Sequence, residues 1–144
     1  MLISDLVKSQ VVVSAEQHQT VLEVARLMVS HNIGAVPILE KGQLVGIFSE
    51  RDLMNRVVVG GKDPAGTEVG QVMTEDPMIV QPGDPLETCM TLMRRHGFRH
   101  LPVCQGRELR GMVSLRDILL HDLDEKDDEV RMMRAYLHST PEAS

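Results

Sequence analysis

The chain has 144 residues and 42% hydrophobic content, enough for one domain with a real core or for two small fused units. A net charge of -6 without any basic run, and with Phe48, Phe98 and Tyr136 as the whole aromatic complement, argues against nucleic-acid binding. The opening residues lack the charged start and long apolar stretch of a signal peptide, and no window approaches about 18 apolar residues, so a soluble, cytoplasmic protein is expected.

Residues 1–8 carry Leu2, Ile3, Leu6 and Val7 around Ser4-Asp5 and predict a short helix or lead-in. The β-branched run Val11-Val12-Val13 predicts a strand. Val21, Val24, Ala25 and Met28 then recur at i, i+3, i+4 and i+7, the pattern of a one-faced helix, with Thr20 placed to cap it and Glu23 three residues on. Val36-Pro37-Ile38-Leu39 is a short strand whose proline belongs at a strand start or edge. Glu40–Gln43 turns into a second strand, Leu44–Phe48, which runs through Ser49 into a helix at Glu50-Arg51-Asp52. Breakers cluster over Gly60–Gly66, the linker.

The same order then recurs 65 residues later. Gly46-Ile47-Phe48-Ser49-Glu50-Arg51-Asp52 is echoed by Gly111-Met112-Val113-Ser114-Leu115-Arg116-Asp117, and Pro37, His31 and Leu44 meet Pro102, His96 and Leu109 without a gap. Leu86, Cys89, Met90 and Met93 take the four helix positions of the first copy, so the period survives while the residues change. Val69–Thr74 matches the opening Ile3–Lys8 with a shift of one or two residues. Each copy is thus strand, helix, strand, strand, helix. A unit of this size has a marginal core alone, and two packed sheet against sheet would solve that. Beyond residue 121 the chain turns acidic, with seven acids against three bases over 122–144. Val130, Met133 and Leu137 follow at helical spacing, so the acidic run reads as a solvated helix start that suits the dipole, with a helix that packs on a partner as the alternative, and Ser139–Ser144 is expected to fray.

The repeated Ser-x-Arg-Asp carries the chemistry. Its structural reading is a capping box, Ser at the cap and the carboxylate at the third helical position. Arginine beside the aspartate in both copies, at a helix start where free N–H groups face out, also suits a phosphate, and the carboxylate can accept from two sugar hydroxyls. A cap can line a pocket, so both readings stand. Cys89 and Cys104 replace the aliphatic Val24 and Leu39 of the first copy, as buried free thiols would. His31 and His96 end equivalent helices, where the dipole favours them, and no His or Cys spacing fits a metal. His100, next to Arg99, is open between a packing role and a phosphate contact. The ten methionines suggest adaptable packing or soft surfaces for a partner.

With His-Asn-Ile-Gly-Ala-Val-Pro (31–37), Val-Gly-Ile-Phe-Ser-Glu-Arg-Asp (45–52), Val-Met-Thr (72–74) and Phe-Arg-His-Leu-Pro-Val (98–103), the chain resembles a tandem pair of cystathionine-β-synthase (CBS) domains, a Bateman module, over about residues 2–121. It most resembles stand-alone, single-pair CBS proteins. The resemblance implies an α/β fold of the α+β type: two β-α-β-β-α repeats, 1–62 and 63–121, related by a pseudo-two-fold, then an acidic C-terminal helix and frayed tail over 122–144. It implies a regulatory module, not an enzyme, that binds AMP, ADP or ATP in clefts between the repeats and modulates a partner. Alternatives are S-adenosylmethionine or NAD as ligand, or an interaction-only dimer with degenerate sites. By position, Asp52 and Asp117 would hold ribose hydroxyls, while Ser49, Arg51, Ser114 and Arg116 would face phosphate. Ala35-Val36-Pro37 and His100-Leu101-Pro102 would flank adenine, with Thr74 near base or phosphate. The opening Ser4–Lys8 lacks the Met-Thr of Met73-Thr74, a departure from the pattern. No obligatory cofactor, metal, nucleic-acid or membrane partner is implied, and the regulated target is unspecified.

An enzyme acting on nucleotides is disfavoured because the sequence offers no activated nucleophile, phosphate-cradling glycine loop or metal cluster. Arginines crowd residues 94–116, so the cleft built on the second repeat, with Arg99 and Arg116, is expected to bind phosphate more strongly, with the alternative that Arg99 reaches across the pseudo-two-fold into the other cleft. The apolar helical faces and the resemblance together predict a homodimer; light scattering at tens of micromolar should give twice the 16.1 kDa chain mass.

Overall fold

Apolar spacing and caps set the local structure. Val21, Val24 and Met28 form the buried face of helix α2 (Val21–His31), and the Thr20 hydroxyl accepts from the Glu23 N–H at 3.1 Å to start it. Its counterpart α4 (Leu86–His96) buries Leu86, Cys89 and Met93. Both helices end on a left-handed cap residue, Asn32 in one and Gly97 in the other. The computed structural model describes residues 1–139, so the expected fraying beyond Ser139 lies outside the described residues.

The remaining elements are α1 (Ile3–Val7), β1 (Ala15–Glu16), β2 (Ala35–Glu40), β3 (Gln43–Ser49), α3 (Glu50–Asp52), β4 (Thr74–Glu75), β5 (His100–Gln105), β6 (Glu108–Ser114) and α5 (Leu115–Ser139). A wider π-type turn over Leu53–Val58 continues α3, and a 3-10 turn spans Val69–Gln71. The fold is of the α+β class expected, and α2, β2 and β3 stand 65 residues from α4, β5 and β6 at both ends. Two compact units divide the chain, Met1–Val113 and Ser114–Ser144.

In the first unit the strands run β1-β2-β3-β6-β5, with β4 on the other part of β3. The two halves are not two separate stacked sheets. Antiparallel pairing of Gln43 with Glu108 joins them edge to edge. These two residues are equivalent in the repeats, so the pairing places a local two-fold between them. Pro37 is tolerated because β1 begins opposite Ile38, leaving no donor demanded at the proline. Val11–Val13 is not the first strand: Val11 is 88% exposed and pairing starts at Ala15. High β propensity does not make a strand where no neighbour offers a ladder. In the second repeat the corresponding strand shrinks to a single bridge, Val80 to Val103.

The lead-in of each repeat crosses to the other. Ile3, Ser4 and Met1 bond to Asp84, Pro82 and Leu86 through backbone at 2.9–3.0 Å. Val69, Gly70 and Thr67 bond in the same way to Gln19, Gln17 and Val21 at 2.8–3.0 Å. The two sets correspond with a one-residue shift, 66 rather than 65, which is the looseness seen in the sequence. Val69, Val72 and Met73 thereby enter the core around Val36, Ile38 and Phe48. Cys89 and Cys104 are buried free thiols, and burial, helped by the charge of Asp84, pushes Cys89 up to about 11. Both stay protonated at neutral pH, since burial raises Cys104 as well.

The second unit is dominated by α5, one helix of 25 residues. The expected C-terminal helix is present as the continuation of the one that starts at Leu115. The acidic run therefore lies mid-helix, where the dipole does nothing for it. Pairs one turn apart relieve it, Lys126 with Asp122 at 3.3 Å and Arg131 with Asp128 at 3.7 Å. No helix among the described residues is long and apolar enough to cross a membrane.

The crossing leaves no room for a side chain at Gly46, where a Cβ would sit 2.8 Å from the Thr74 carbonyl oxygen, or at Gly111, where it would sit 2.8 Å from the Gln10 side-chain oxygen and 2.9 Å from the Val7 Cβ. Gly46→Ala and Gly111→Ala should each cost about 1–3 kcal/mol in urea unfolding, because backbone or packed side chains must shift. Gly42→Ala, with open space around it but a positive φ of 78°, should cost about 1 kcal/mol from backbone strain alone.

Candidate functional site

The Ser49-x-x-Asp52 motif folds as its chemistry suggests. Ser49 caps α3, donating its N–H (3.0 Å) and hydroxyl (3.1 Å) to the Asp52 carboxylate, while the Asp52 N–H donates back to Ser49 Oγ at 3.2 Å. Asp52 is only 8% exposed, so its charge needs partners. The Thr74 hydroxyl donates to Asp52 Oδ1 at 3.1 Å, and the Arg56 guanidinium stands 3.6 Å from the same oxygen. Arg56 also donates to the Met73 carbonyl at 2.8 Å, tying the helix to the crossing lead-in. The equivalent Ser114 and Asp117, in the second unit, repeat the cap: the Asp117 N–H donates to Ser114 Oγ at 3.0 Å, and the Ser114 N–H to the carboxylate at a longer 3.4 Å.

Asp52 opens onto a cleft of about 510 Å³ within the first unit. One wall is Gly34 and Ala35, where the chain enters β2, together with Ser49, Glu50 and Arg51; Ile47 lies at its base. The Glu50 N–H donates to the Gly34 carbonyl at 3.0 Å and pins the two segments together. Phe98, Arg99, His100, Leu101 and Pro102, at the entry into β5, line it as well, with Thr74, Asp76, Pro77 and Met78. His96 stacks on Phe98 with ring centroids 5.5 Å apart, which steadies an aromatic face at the mouth.

Of the residues singled out in the sequence, Ala35, Ser49, Arg51, Asp52, Thr74, Arg99, His100, Leu101 and Pro102 thus line one cleft. Val36 and Pro37 do not; they are buried inside β2. Ser114, Arg116 and Asp117 belong to the other unit and do not line it. Two expectations change. Arg99, expected at the cleft of the second repeat, lines the cleft of Asp52, because the β5 entry of the second repeat and α3 of the first border the same space. The helix start also offers few free donors, since the Glu50 and Asp52 N–H groups are already used. Arg51 and Arg99 are left as the cations of the cleft. The sequence reading missed Glu50, Asp76, Met78 and Phe98. The Asp76-Pro77 dipeptide was an available turn signal, and Asp76 sits at a left-handed φ of 44°.

A family model described as the CBS domain matches residues 3–59 and again 69–124. The chain is 34% identical over 121 residues to the CBS domain-containing protein YhcV of Bacillus subtilis, covering 84% of this chain and 85% of that protein. It is 32% identical over 123 residues to the mitochondrial CBS domain-containing protein CBSX3 of Arabidopsis thaliana, covering 82% of this chain but 60% of the plant protein. Among solved structures, the CBS domain protein PAE2072 from Pyrobaculum aerophilum, complexed with AMP, superposes with a TM-score of 0.74 at 27% identity, over 81% of this chain and 89% of that one.

The two caps should differ in stability. Asp52→Ala removes a buried acceptor of several bonds and should cost about 2–3 kcal/mol in urea unfolding, whereas Asp117→Ala should cost about 1 kcal/mol. Equal losses would contradict the geometry.

Proposed function

Because the chain belongs to the CBS-domain family and carries two copies of the domain, we propose that it is a regulatory module, not an enzyme, which binds an adenine nucleotide in the cleft at Asp52. The observation that carries this reading is the meeting, in one cleft, of a buried carboxylate oriented by three hydroxyl and amide donors with two arginines and an apolar slot. A carboxylate so held accepts well from vicinal ribose hydroxyls, while Arg51 and Arg99 suit a phosphate. Ala35, His100, Leu101 and Pro102 form the slot for the base, with Ser49 beside the phosphate path. Thr74 in this reading orients Asp52 rather than touching the base. Ser114, Arg116 and Asp117 keep the corresponding roles for a second ligand, and the repeats divide at 62/63 with the tail from 122.

The fold supports the reading as well, since an AMP-bound CBS protein shares it. CBS proteins of this kind are generally regulatory, and the module is proposed to act as a homodimer on a target protein in the cytoplasm. The apolar residues exposed along α5, Met132, Met133 and Tyr136 among them, favour a second reading, in which contact with that target is the main activity.

Thermal unfolding with AMP, ATP and GMP separates these readings. A ligand that binds only the folded state stabilises it by about 2.7 kcal/mol at a hundredfold excess over Kd, so AMP should raise Tm by several degrees and GMP by less. Equal shifts with both would remove base selection, and no shift with any nucleotide would leave the interaction reading.

A further inference from the structure

Resting on the nucleotide reading above, we propose that Glu50 and Asp76 limit how much negative charge the cleft accepts, so that it takes adenosyl ligands with one phosphate or none in preference to di- and triphosphates. The charges of the cleft nearly cancel. Asp52 is matched by Arg56 at 3.6 Å, outside the count. Among the side chains that carry a full charge at neutral pH, what remains is Arg51 and Arg99 against Glu50 and Asp76, with His100 beside them.

Both residues are anchored through their backbone. The Glu50 N–H is bonded to the Gly34 carbonyl, and its carboxylate hangs over Gly34: a Cβ built there would lie 3.3 Å from Glu50 Cδ and Oε2 and 3.5 Å from His100 Cε1. Asp76 follows β4 directly, donates its N–H to the Val45 carbonyl at 3.3 Å, and precedes Pro77, whose ring fixes the next turn of chain. The staple between β2 and α3 and the pairing of β3 with β4 thus fix the points from which the two side chains leave the main chain. Glu50 lines the cleft beside the entry of the chain into β2, and Asp76 lines it just after β4.

A monophosphate, at about two negative charges, can be met by the two arginines. Each further phosphate adds charge that finds no third cation and faces two carboxylates. For like charges about 6 Å apart near water, each pair weakens binding about two- to threefold, less at high salt. Two added charges against two acids make four such pairs, about sixteenfold at the lower figure, and the pull of Arg51 and Arg99 on the same charges offsets part of this, so a triphosphate should bind about tenfold more weakly than a monophosphate. The counterparts of Glu50 and Asp76 in the other repeat are Leu115 and, with the one-residue shift, Gln10, both uncharged. The restriction is therefore particular to this cleft.

The test is calorimetric titration of the full chain with adenosine, AMP, ADP and ATP, without divalent cations, on the wild type, Glu50→Gln, Asp76→Asn and the double variant. Expected are affinities falling from AMP to ATP by about tenfold in the wild type, and a ratio narrowed about fivefold in the double variant while adenosine changes less than about twofold. Both side chains are exposed, so the variants should fold, and the wild-type ratio is a test by itself. Equal affinity for AMP and ATP, tighter binding of ATP, or an unchanged ratio in the double variant overturns the charge limit and leaves the nucleotide reading intact. Failure of adenosine and every nucleotide to bind overturns both.

Discussion

Each repeat is completed by the lead-in of the other, and the rest of the structure depends on that exchange. A unit of about 55 residues removes only enough apolar surface from water for a marginal core by itself. Here Val69, Val72 and Met73 close the core over Phe48 of the first repeat, while Ile3 and Val7 are buried in the equivalent positions of the second. The matched backbone bonds from Ile3 to Asp84 and from Val69 to Gln19 hold the crossing in register. Where the lead-ins pass over a strand, the strand carries glycine, at 46 and at 111.

The exchange also makes the cleft composite. Asp52 comes from the first repeat, but the hydroxyl that orients it comes from Thr74 and the arginine facing it from Arg99, both of the second. Arg56 links the parts by touching the carboxylate and the Met73 carbonyl at once. Anything that moves the second lead-in relative to β3 would therefore be felt at the carboxylate, and the reverse. The proposed regulatory role would rest on this coupling, because the lining of the cleft and the repeat–repeat contacts share the same few atoms.

Duplication has not kept the halves alike. Opposite Ile47 the second lead-in forms a strand, β4. Opposite the equivalent Met112 a single side chain, Gln10, does the work, bonding to the N–H at 2.8 Å and to the carbonyl at 2.9 Å. An amide carries one donor and one acceptor in nearly the geometry of a peptide group, so it can replace a strand residue at an edge. Thr74 corresponds to Lys8, and Gly34-Ala35 to Arg99-His100. A common fold therefore supports unlike chemistry on its two faces.

Periodicity and repetition in the sequence were sufficient for α2 and α4, for the hairpins, and for the capping role of Ser49 and Asp52, because each depends on neighbours within a few residues. The same locality explains why the buried cysteines could be read from their aliphatic counterparts. Val11–Val13 misled, since a strand exists only where a partner ladder is offered, and that ladder begins at Ala15. The acidic segment suggested a helix start, yet nothing local breaks the helix that begins at Leu115. Which repeat supplies Arg99 to which cleft was not written in either copy alone. Two similar local patterns can pack around a two-fold with the β2 and β5 entries facing their own helix or the other, and only the crossing of the lead-ins, fixed by contacts such as Val69 to Gln19 and Ile3 to Asp84 that are distant in sequence, decides between them.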